Sequence, residues 1–417
     1  MARAATRTCC FFTATAALAL AIGLVACPAG AAASAEGGGG FSAAELASLK
    51  ALFGRHDVVA LVDSDQRGEP RAMTLAMRVA ASRENTFKVF EDPENFYYIS
   101  TLFKENKVLQ EHGNTKAFSW ASRHKLFSVV GRNTIALFPP RRADVTVVDS
   151  SMGSGVFKVI LHEDGPDHTI VVVSGLLDVQ TSEWLIRVLL GGNPAIRQAM
   201  NVAIGLVMIK GIADVALRYQ KGQPLDKHRT RGKAGGAPAP LSQKELLALA
   251  PLLVRGQVVI CDSHKGGRLR QITAVEVVEA PAADVFAAVG TPAGYSRLIK
   301  AIDKVEIHSN DGAVIDFSWN IGLSVFGLTS RNRMSKTENG VLVEASGGEL
   351  DGAKWRWQIV PTAPNRTVVA YHGFANLRRS TSILEQTLRR EPYLEHGLVA
   401  GSNMVMLGAI RRGVEQR

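Results

Sequence analysis

Cysteine is scarce in this 417-residue sequence, and its placement excludes several classes of protein. Cys9, Cys10 and Cys27 lie within the first 27 residues, which leaves Cys261 alone in the remainder of the chain. A single cysteine cannot form an intrachain disulfide, a CxxC redox motif or a cysteine-based zinc site. The body of the chain is therefore neither a disulfide scaffold nor a zinc-stabilised fold.

The signature motifs of several enzyme classes are also missing. The sequence contains no GxSxG nucleophile elbow, no HExxH metal motif and no Walker loop. The segment Asn310-Asp311-Gly312 has the composition of a tight turn rather than of a calcium loop. We therefore expect no catalytic residue, no metal and no cofactor.

The overall composition is that of a globular protein. Hydrophobic residues make up 46% of the chain and charged residues 21%, which excludes a disordered, collagenous or coiled-coil chain. The net charge of +10 is modest for this length, so we expect no nucleic-acid partner.

The first 40 residues have the pattern of a targeting segment. Arg3 and Arg7 precede an apolar run over residues 11–26, as in a secretory signal. The run ends at Leu24-Val25-Ala26-Cys27, which resembles a bacterial lipobox. We therefore expect residues 1–27 to be a lipoprotein-type signal peptide with lipidation at Cys27, and residues 28–40 to be a Gly-rich tether. The alternatives are cleavage at Ala33-Ser34-Ala35, an uncleaved anchor or another kind of targeting peptide. Either processed form would be exported, and would be periplasmic or lipid-anchored to the bacterial cell envelope.

The body of the chain contains one unit twice. Self-comparison aligns residues 41–46 with 241–246 at an offset of 200, and an offset of 199 then holds for about seventy residues. The matched pairs include Asp63 and Asp262, Arg71 and Arg270, Phe87 and Phe286, Trp120 and Trp319, and Arg132 and Arg331. Chance does not keep one register over such a length, so the chain is a tandem duplication.

The junction between the two copies is visible in the composition. Residues 221–240 are rich in Gly, Pro and basic side chains and have no apolar periodicity, which is typical of a linker. We place the first domain at 41–220 and the second at 241–417. Each is long enough to form a core of its own.

The order of elements is clearest in the second repeat. Ser42 and Ser242, each followed by Glu three residues later, predict a capped helix at the start of each repeat. A strand over 272–278 precedes a helix from residue 280, with Pro281 in its first turn, and a second short helix over 292–299. Strands are then predicted at 304–309, 314–319, 329–334, 341–346, 354–361 and 367–374. A long helix over 381–414, broken before Pro392, closes the repeat.

Two motifs in the second repeat resemble a known superfamily. Residues 277–289 are VVEAPAADVFAAV and residues 291–307 are TPAGYSRLIKAIDKVEI. This strand-to-helix turn with its following loop is similar to that of START-like or Bet v 1-like proteins, which include polyketide cyclases/dehydrases, lipid-transport proteins and a coenzyme-Q-binding subgroup. The first repeat resembles a diverged copy. The resemblance implies an α+β fold of two tandem helix-grip domains, each a curved antiparallel sheet around a long C-terminal helix.

In such a fold, apolar ligands bind between the sheet and the helix. Eight residues are candidates to line a cavity there: Trp120, Arg132, Trp319, Arg331, Trp355, Trp357, His372 and Met404. A tryptophan can stack on a ring, an arginine can clamp an anionic head group, and a methionine adapts to varied apolar shapes. The alternatives are core packing for the tryptophans and methionine, exposed ion pairs for the arginines, and a structural role for His372.

Three functions follow from these expectations. The first is non-enzymatic binding or transport of an apolar small molecule, such as a lipid, sterol or quinone, by an exported and membrane-tethered protein. The second is an aromatase/cyclase-type enzyme acting on a hydrophobic substrate. The third is an interaction protein with collapsed cavities, a role for which the diverged first repeat is the more obvious candidate. The sequence leaves the ligand and the oligomeric state open.

Overall fold

A computed structural model describes residues 41–64, 70–124, 127–151, 153–178, 182, 194–227, 229–299, 302–323 and 326–416. The predicted signal peptide, the proposed lipidation site Cys27 and the tether 28–40 lie outside the described residues.

The two repeats contain the same elements in the same order. The first consists of α1 (Ala43–Leu52), β1 (Val58–Ser64), β2 (Pro70–Val79), α2 (Arg83–Glu91), α3 (Phe96–Ile99), β3 (Phe103–His112), β4 (Thr115–His124), β5 (Phe127–Phe138), β6 (Arg142–Ser150), β7 (Ser154–Glu163), β8 (Thr169–Asp178) and α4 (Pro194–Gln220). The second consists of α5 (Gln243–Leu253), β9 (Gly256–Ser263), β10 (Leu269–Val278), α6 (Ala282–Val289), α7 (Tyr295–Leu298), β11 (Ile302–Asn310), β12 (Val314–Leu323), β13 (Phe326–Thr337), β14 (Gly340–Gly348), β15 (Lys354–Ala363), β16 (Arg366–Phe374), α8 (Ser382–Arg390) and α9 (Leu394–Glu415). Short 3₁₀ turns at Pro93–Asn95, Pro292–Gly294 and Leu377–Arg379 join neighbouring elements.

This architecture confirms the predicted α+β class. Each half pairs an antiparallel sheet with a long C-terminal helix, as expected for tandem helix-grip units. The predicted strands are present but extend further than expected at their ends. The break in the last helix is confirmed, because α8 ends at Arg390 and α9 begins at Leu394. Pro281 is the N-cap of α6 rather than a residue of its first turn.

The two halves share one sheet, an arrangement that the repeat pattern does not predict. Within the described part of the chain, sixteen strands pair in the order β11-β12-β13-β14-β15-β16-β10-β9-β1-β2-β8-β7-β6-β5-β4-β3. The first strand of each repeat pairs antiparallel with that of the other, so Ala60 lies opposite Val259 and Leu61 opposite Val258. The same order of strands runs outward from this joint in both directions, which gives the molecule an approximate two-fold axis.

The core also crosses the repeat boundary. Residues 58–62 of β1 are buried without interruption, as expected of a strand covered on both faces. One face of the joint packs on α4 and α9, and the other on α1 and α5. The latter layer includes Leu49 and Leu52 from the first repeat and Leu249 and Leu252 from the second. The expectation of two separate cores is therefore wrong.

Both N-terminal helices begin with the predicted capping box. The Ser42 and Ser242 side chains accept from the backbone N–H groups of Glu45 and Glu245, and each glutamate accepts from the backbone N–H of its serine. These bonds satisfy helix N–H groups that have no partner within the helix. They also hold the two glutamates at the joint between the repeats.

The two long helices cross through small residues. A Cβ added to Gly397 would lie 2.6 Å from Cβ of Ala203, and one added to Gly401 would lie 3.0 Å from Cβ of Ala199. Side chains this small let the two backbones approach closely. By length and composition α4 could cross a membrane, but 83% of its apolar stretch is buried inside the protein.

Candidate functional site

The first repeat encloses an apolar cavity between its sheet and α4. The cavity has a volume of about 70 Å³. One buried water needs roughly 10–15 Å³ in the same measure. Its lining comprises Met73, Phe90, Phe96, Ile99, Phe103, Asn106, Phe118, Trp120, Asn133, Val145, Val147, Phe157, Val159, Val173, Leu177, Ile204, Gly205, Met208 and Ile212. All of these residues except the two asparagines are apolar.

Aromatic rings form the wall under the short helices. Phe96 meets Phe90 and Phe118 edge to face, with ring centroids 6.3 and 5.3 Å apart, and Phe103 meets Trp120 in the same way at 5.8 Å. Edge-to-face pairs of buried rings prefer this geometry, so the wall is held in one arrangement.

Two asparagines are the lining residues with polar side chains, but only apolar atoms face the open space of the cavity. Oδ1 of Asn133 accepts a hydrogen bond from Nε1 of Trp120 at 3.3 Å. Nδ2 of Asn106 donates to the carbonyl oxygen of Pro93 at 3.3 Å, whereas Oδ1 of Asn106 is inaccessible to solvent and has no hydrogen-bond partner. Both acceptors therefore lie behind the apolar atoms that face the cavity.

The second repeat has larger side chains at the corresponding positions. Strand pairing places Val159 opposite Val173 in the first repeat, and Trp357 opposite Tyr371 in the second. The rings of Trp357 and Tyr371 are buried, with their centroids 4.1 Å apart. At a third pair of corresponding positions, the first repeat has Phe157 and the second has Trp355. The ring of Trp355 packs on that of Trp319. Aromatic side chains therefore occupy the space that the valines leave open in the first repeat.

The four predicted tryptophans are all buried. Trp120 lines the cavity of the first repeat. Trp355 and Trp357 share one face of β15, as their spacing predicted, and Trp319 packs on Trp355 with ring centroids 5.7 Å apart. Met404 is buried on α9. The members of this group that belong to the second repeat are buried inside that repeat: Trp319, Trp355, Trp357 and Met404.

The two predicted arginines lie on the outer face of the sheet. Arg132 and Arg331 are exposed, and the next residue on each strand, Asn133 or Asn332, is the one that points inward. Side chains alternate along a strand, so an inward asparagine requires an outward arginine. Neither arginine is placed to clamp a ligand inside the fold.

His372 lies on the face of β16 opposite Tyr371. Its Nδ1 is 2.9 Å from Oγ1 of Thr273 and its Nε2 is 3.1 Å from Oε1 of Gln358. Burial lowers the pKa of His372 to about 3, and the charge of Arg356 acts in the same direction. The ring is therefore neutral and structural, and it does not line the cavity of the first repeat.

The second repeat braces the loop beside the cavity. Oε2 of the fully buried Glu391 accepts from the Ser100 hydroxyl and from the backbone N–H of Thr101, both at 2.8 Å. The linker adds Lys227, whose Nζ donates to the carbonyl oxygen of Phe103 at 2.5 Å. Burial and the nearby charge of Lys104 lower the pKa of Lys227 to about 8. The loop between Ile99 and Phe103, both cavity-lining residues, is thus held by groups from outside its own repeat.

Comparison with known proteins agrees with the predicted resemblance. Residues 278–384 match the family described as polyketide cyclase/dehydrase and lipid transport. No curated protein matches the sequence.

Solved structures similar to this chain include single-domain and two-domain proteins. The di-domain ARO/CYC StfQ from the steffimycin biosynthetic pathway is 13% identical over 82% of this chain and 98% of its own, with a TM-score of 0.29. The STAR-related lipid transfer protein from Xanthomonas axonopodis is 14% identical over 39% of this chain and 94% of its own, with a TM-score of 0.29. A START superfamily protein from Mycobacterium smegmatis is 17% identical over 35% and 97%, with a TM-score of 0.30. Values this low carry no inference about ligand or activity.

The family resemblance predicted from the sequence is thus confirmed, and its motif lies in the second repeat. Residues 278–384, which lie in the second repeat, are similar to the polyketide cyclase/dehydrase and lipid-transport family.

Proposed function

We propose that this protein binds an apolar small molecule in the cavity of its first repeat and acts as a carrier. The observation that supports this most directly is the cavity itself, whose lining is apolar apart from Asn106 and Asn133. Transfer of apolar ligand surface from water into such a site contributes about 25 cal/mol per Å². The same lining gives little stabilisation to a charged ligand, which would lose its hydration without gaining a counter-ion.

The dimensions of the cavity suggest how much of a ligand it holds. At about 70 Å³ it is smaller than the roughly 150 Å³ of an engineered apolar cavity that binds benzene, so it accepts the end of an acyl chain or part of a ring system. A lipid, sterol or quinone would therefore be held by part of its apolar body. The second repeat has a different role in this proposal, since its aromatic side chains fill the equivalent interior and Glu391 braces the loop beside the cavity.

The location of the carrier belongs to the same proposal. The predicted signal segment at 1–27 and the tether at 28–40 would place the two repeats outside the cytoplasm, bound to the cell envelope through lipidated Cys27. A carrier anchored in this way would exchange apolar molecules with the adjacent membrane surface.

The test uses the full-length protein purified from its producing cells. Native mass spectrometry before and after extraction with organic solvent should show a bound mass that the extraction removes. Calorimetric titration of the extracted protein with naphthalene, an uncharged apolar probe, should then show saturable binding. Absence of both a removable mass and saturable naphthalene binding would overturn the proposal.

A further inference from the structure

Basic side chains are concentrated in three short segments of the chain. Residues 229–233, 264–268 and 378–390 together contain nine lysines and arginines and one acidic residue, Glu385, which gives a charge of +8. The whole chain has a net charge of +10, so the rest of the sequence is nearly neutral. Glu391, which directly follows the third segment, is fully buried. The modest net charge therefore conceals a strong local excess of positive charge.

The fold brings these three segments together. The backbone N–H of Arg231, in the linker, donates to the carbonyl oxygen of Gly266, in the turn between β9 and β10, at 2.9 Å. Nε of Arg268 and Nε of Arg378 each lie 3.5 Å from Oε2 of the fully buried Glu395, which joins the second segment to the third. The segments thus form one continuous surface, which we call the basic face.

Most of the cations on the basic face are open to solvent. Seven of the nine are exposed: Arg229, Arg231, Lys233, Lys265, Arg379, Arg389 and Arg390. Arg389 pairs with Glu385 one helical turn away, but an exposed pair of this kind is weak. The corresponding part of the first repeat, residues 180–192, contains one arginine and one glutamate, so this charge is not a general property of the repeat.

The basic face adjoins the loop beside the cavity. The Thr101 hydroxyl donates to the carbonyl oxygen of Arg390, at the end of α8. Lys227, two residues before the linker segment of the basic face, donates from Nζ to the carbonyl oxygen of Phe103. Ile99 and Phe103, at the two ends of this loop, line the cavity. A surface that contacts the basic face therefore lies next to the cavity of the first repeat.

We infer that the basic face docks the protein on an anionic lipid surface, with the loop beside the cavity next to the bilayer. This inference rests on the proposed function, because a bilayer is both a source and a destination of apolar molecules. Each lysine or arginine close to an anionic leaflet raises partitioning roughly fivefold. None of the three segments contains Phe, Tyr or Trp, on which the bases of single-stranded nucleic acids stack, so the composition favours a membrane.

Vesicle sedimentation of the full-length protein tests this inference. The protein carries Cys27→Ser, which removes the proposed acyl chains, and lipid is titrated to obtain partition coefficients. Vesicles of phosphatidylcholine with about 30% phosphatidylglycerol should bind the protein at least tenfold more tightly than vesicles of phosphatidylcholine alone. About 0.5 M NaCl should abolish this preference, because salt screens exposed charges.

Two variants that lose the same charge locate the docking surface. The basic-face variant combines four substitutions of exposed residues: Arg229→Gln, Lys233→Gln, Lys265→Gln and Arg390→Gln. The control variant combines four substitutions of exposed residues outside the basic face: Arg141→Gln, Lys304→Gln, Arg331→Gln and Lys336→Gln. The first should lose at least tenfold in partitioning into the anionic vesicles, and the second should retain the preference of the unmodified surface.

The outcomes distinguish this inference from the proposed function. Equal partitioning into the two kinds of vesicle, or an equal loss in the two variants, would overturn the docking surface and leave the carrier proposal standing. Release from the anionic vesicles by duplex DNA at the same phosphate concentration would assign the basic face to nucleic acid and overturn the lipid assignment. The carrier proposal fails separately, through absent naphthalene binding in solution, which the basic-face variant should retain.

Discussion

Nη1 of Arg55 lies 3.0 Å from both carboxylate oxygens of Glu245, which follows it in the chain by 190 residues. The reciprocal pair also forms, because Nη1 of Arg255 lies 2.9 Å from Oε1 of Glu45. These two ion pairs exchange partners across the approximate two-fold axis at the β1–β9 joint. The glutamates are the same residues that cap α1 and α5, so helix capping and repeat docking depend on the same carboxylates.

The two ion pairs should differ in strength. The Arg255 side chain is 28% exposed and also contacts Asp63 with two nitrogens, whereas Arg55 is 43% exposed. We expect Arg255→Ala to lower the free energy of unfolding by about 2 kcal/mol, because it leaves the mostly buried Glu45 without its partner. Arg55→Ala should cost about 1 kcal/mol or less, since exposure weakens the pair and His56 still contacts Glu245. Urea unfolding measures both, and equal losses would contradict the assignment.

The crossing of α4 and α9 depends on Gly397. A Cβ at this position would lie 2.6 Å from Cβ and 2.7 Å from Cα of Ala203, which cannot move without the helix backbone. We expect Gly397→Ala to lower stability by about 1–3 kcal/mol, an overpacking cost that exceeds the gain in helix propensity.

A second glycine on the same helix is the matched control for this crossing. In Gly408→Ala the nearest atom to the new Cβ is Nη1 of Arg412 at 3.4 Å, the end of a flexible side chain. This variant should be neutral or more stable by up to about 1 kcal/mol. A Gly397→Ala protein as stable as Gly408→Ala would show that the helices are not in close contact there.

The buried ring of His372 makes stability depend on pH. Its pKa in the folded protein is about 3, below the ordinary value of 6.5, so the unfolded chain binds a proton that the folded protein does not. The stability that this neutral ring contributes is complete above pH 6.5 and is lost as the pH falls from there towards 3. Between pH 7 and pH 5, we expect the stability difference between the unmodified protein and His372→Gln to shrink by about 2 kcal/mol.

Urea unfolding at the two pH values, compared between variants, isolates the contribution of His372. His308→Gln, a histidine substitution at an exposed position on β11, is the control. Parallel pH dependences for the unmodified protein and His372→Gln would contradict a neutral buried ring.

The duplication, the fold class and most strands could be predicted from the sequence, because apolar periodicity, turn residues and matched positions are local signals. The joint between the repeats was missed although a signal exists. Residues 58–62 and 258–261 form continuous apolar runs, which are typical of strands covered on both faces. The pairing of these two strands joins segments that are far apart in the sequence. The apolar periodicity of a single segment does not indicate which distant strand it pairs with.

The cavity could not be located from the sequence because it depends on pairs of side chains brought together by strand register. The repeats match at an offset of 199 up to β5 and β13, and at 198 afterwards. The change occurs in one turn, since residues 139–141 join β5 to β6 whereas 338–339 join β13 to β14. Val159 corresponds to Trp357 only when the offset of 198 is used. Because valine is much smaller than tryptophan, space remains in the first repeat that is filled in the second. Arg132 and Arg331 were proposed for the cavity because they repeat, but repetition does not say which face of a strand a residue occupies.

The central claim is that the cavity of the first repeat is an apolar binding site. Its most direct test is calorimetric titration of the extracted protein with naphthalene, comparing the unmodified chain with Val173→Phe, which places a ring in the cavity. Val156→Phe, at a position on β7 that is 51% exposed, is the control. We predict one site per chain in the unmodified protein and in Val156→Phe, and at least a tenfold loss of affinity in Val173→Phe. Two sites per chain, or unchanged affinity in Val173→Phe, would contradict the account.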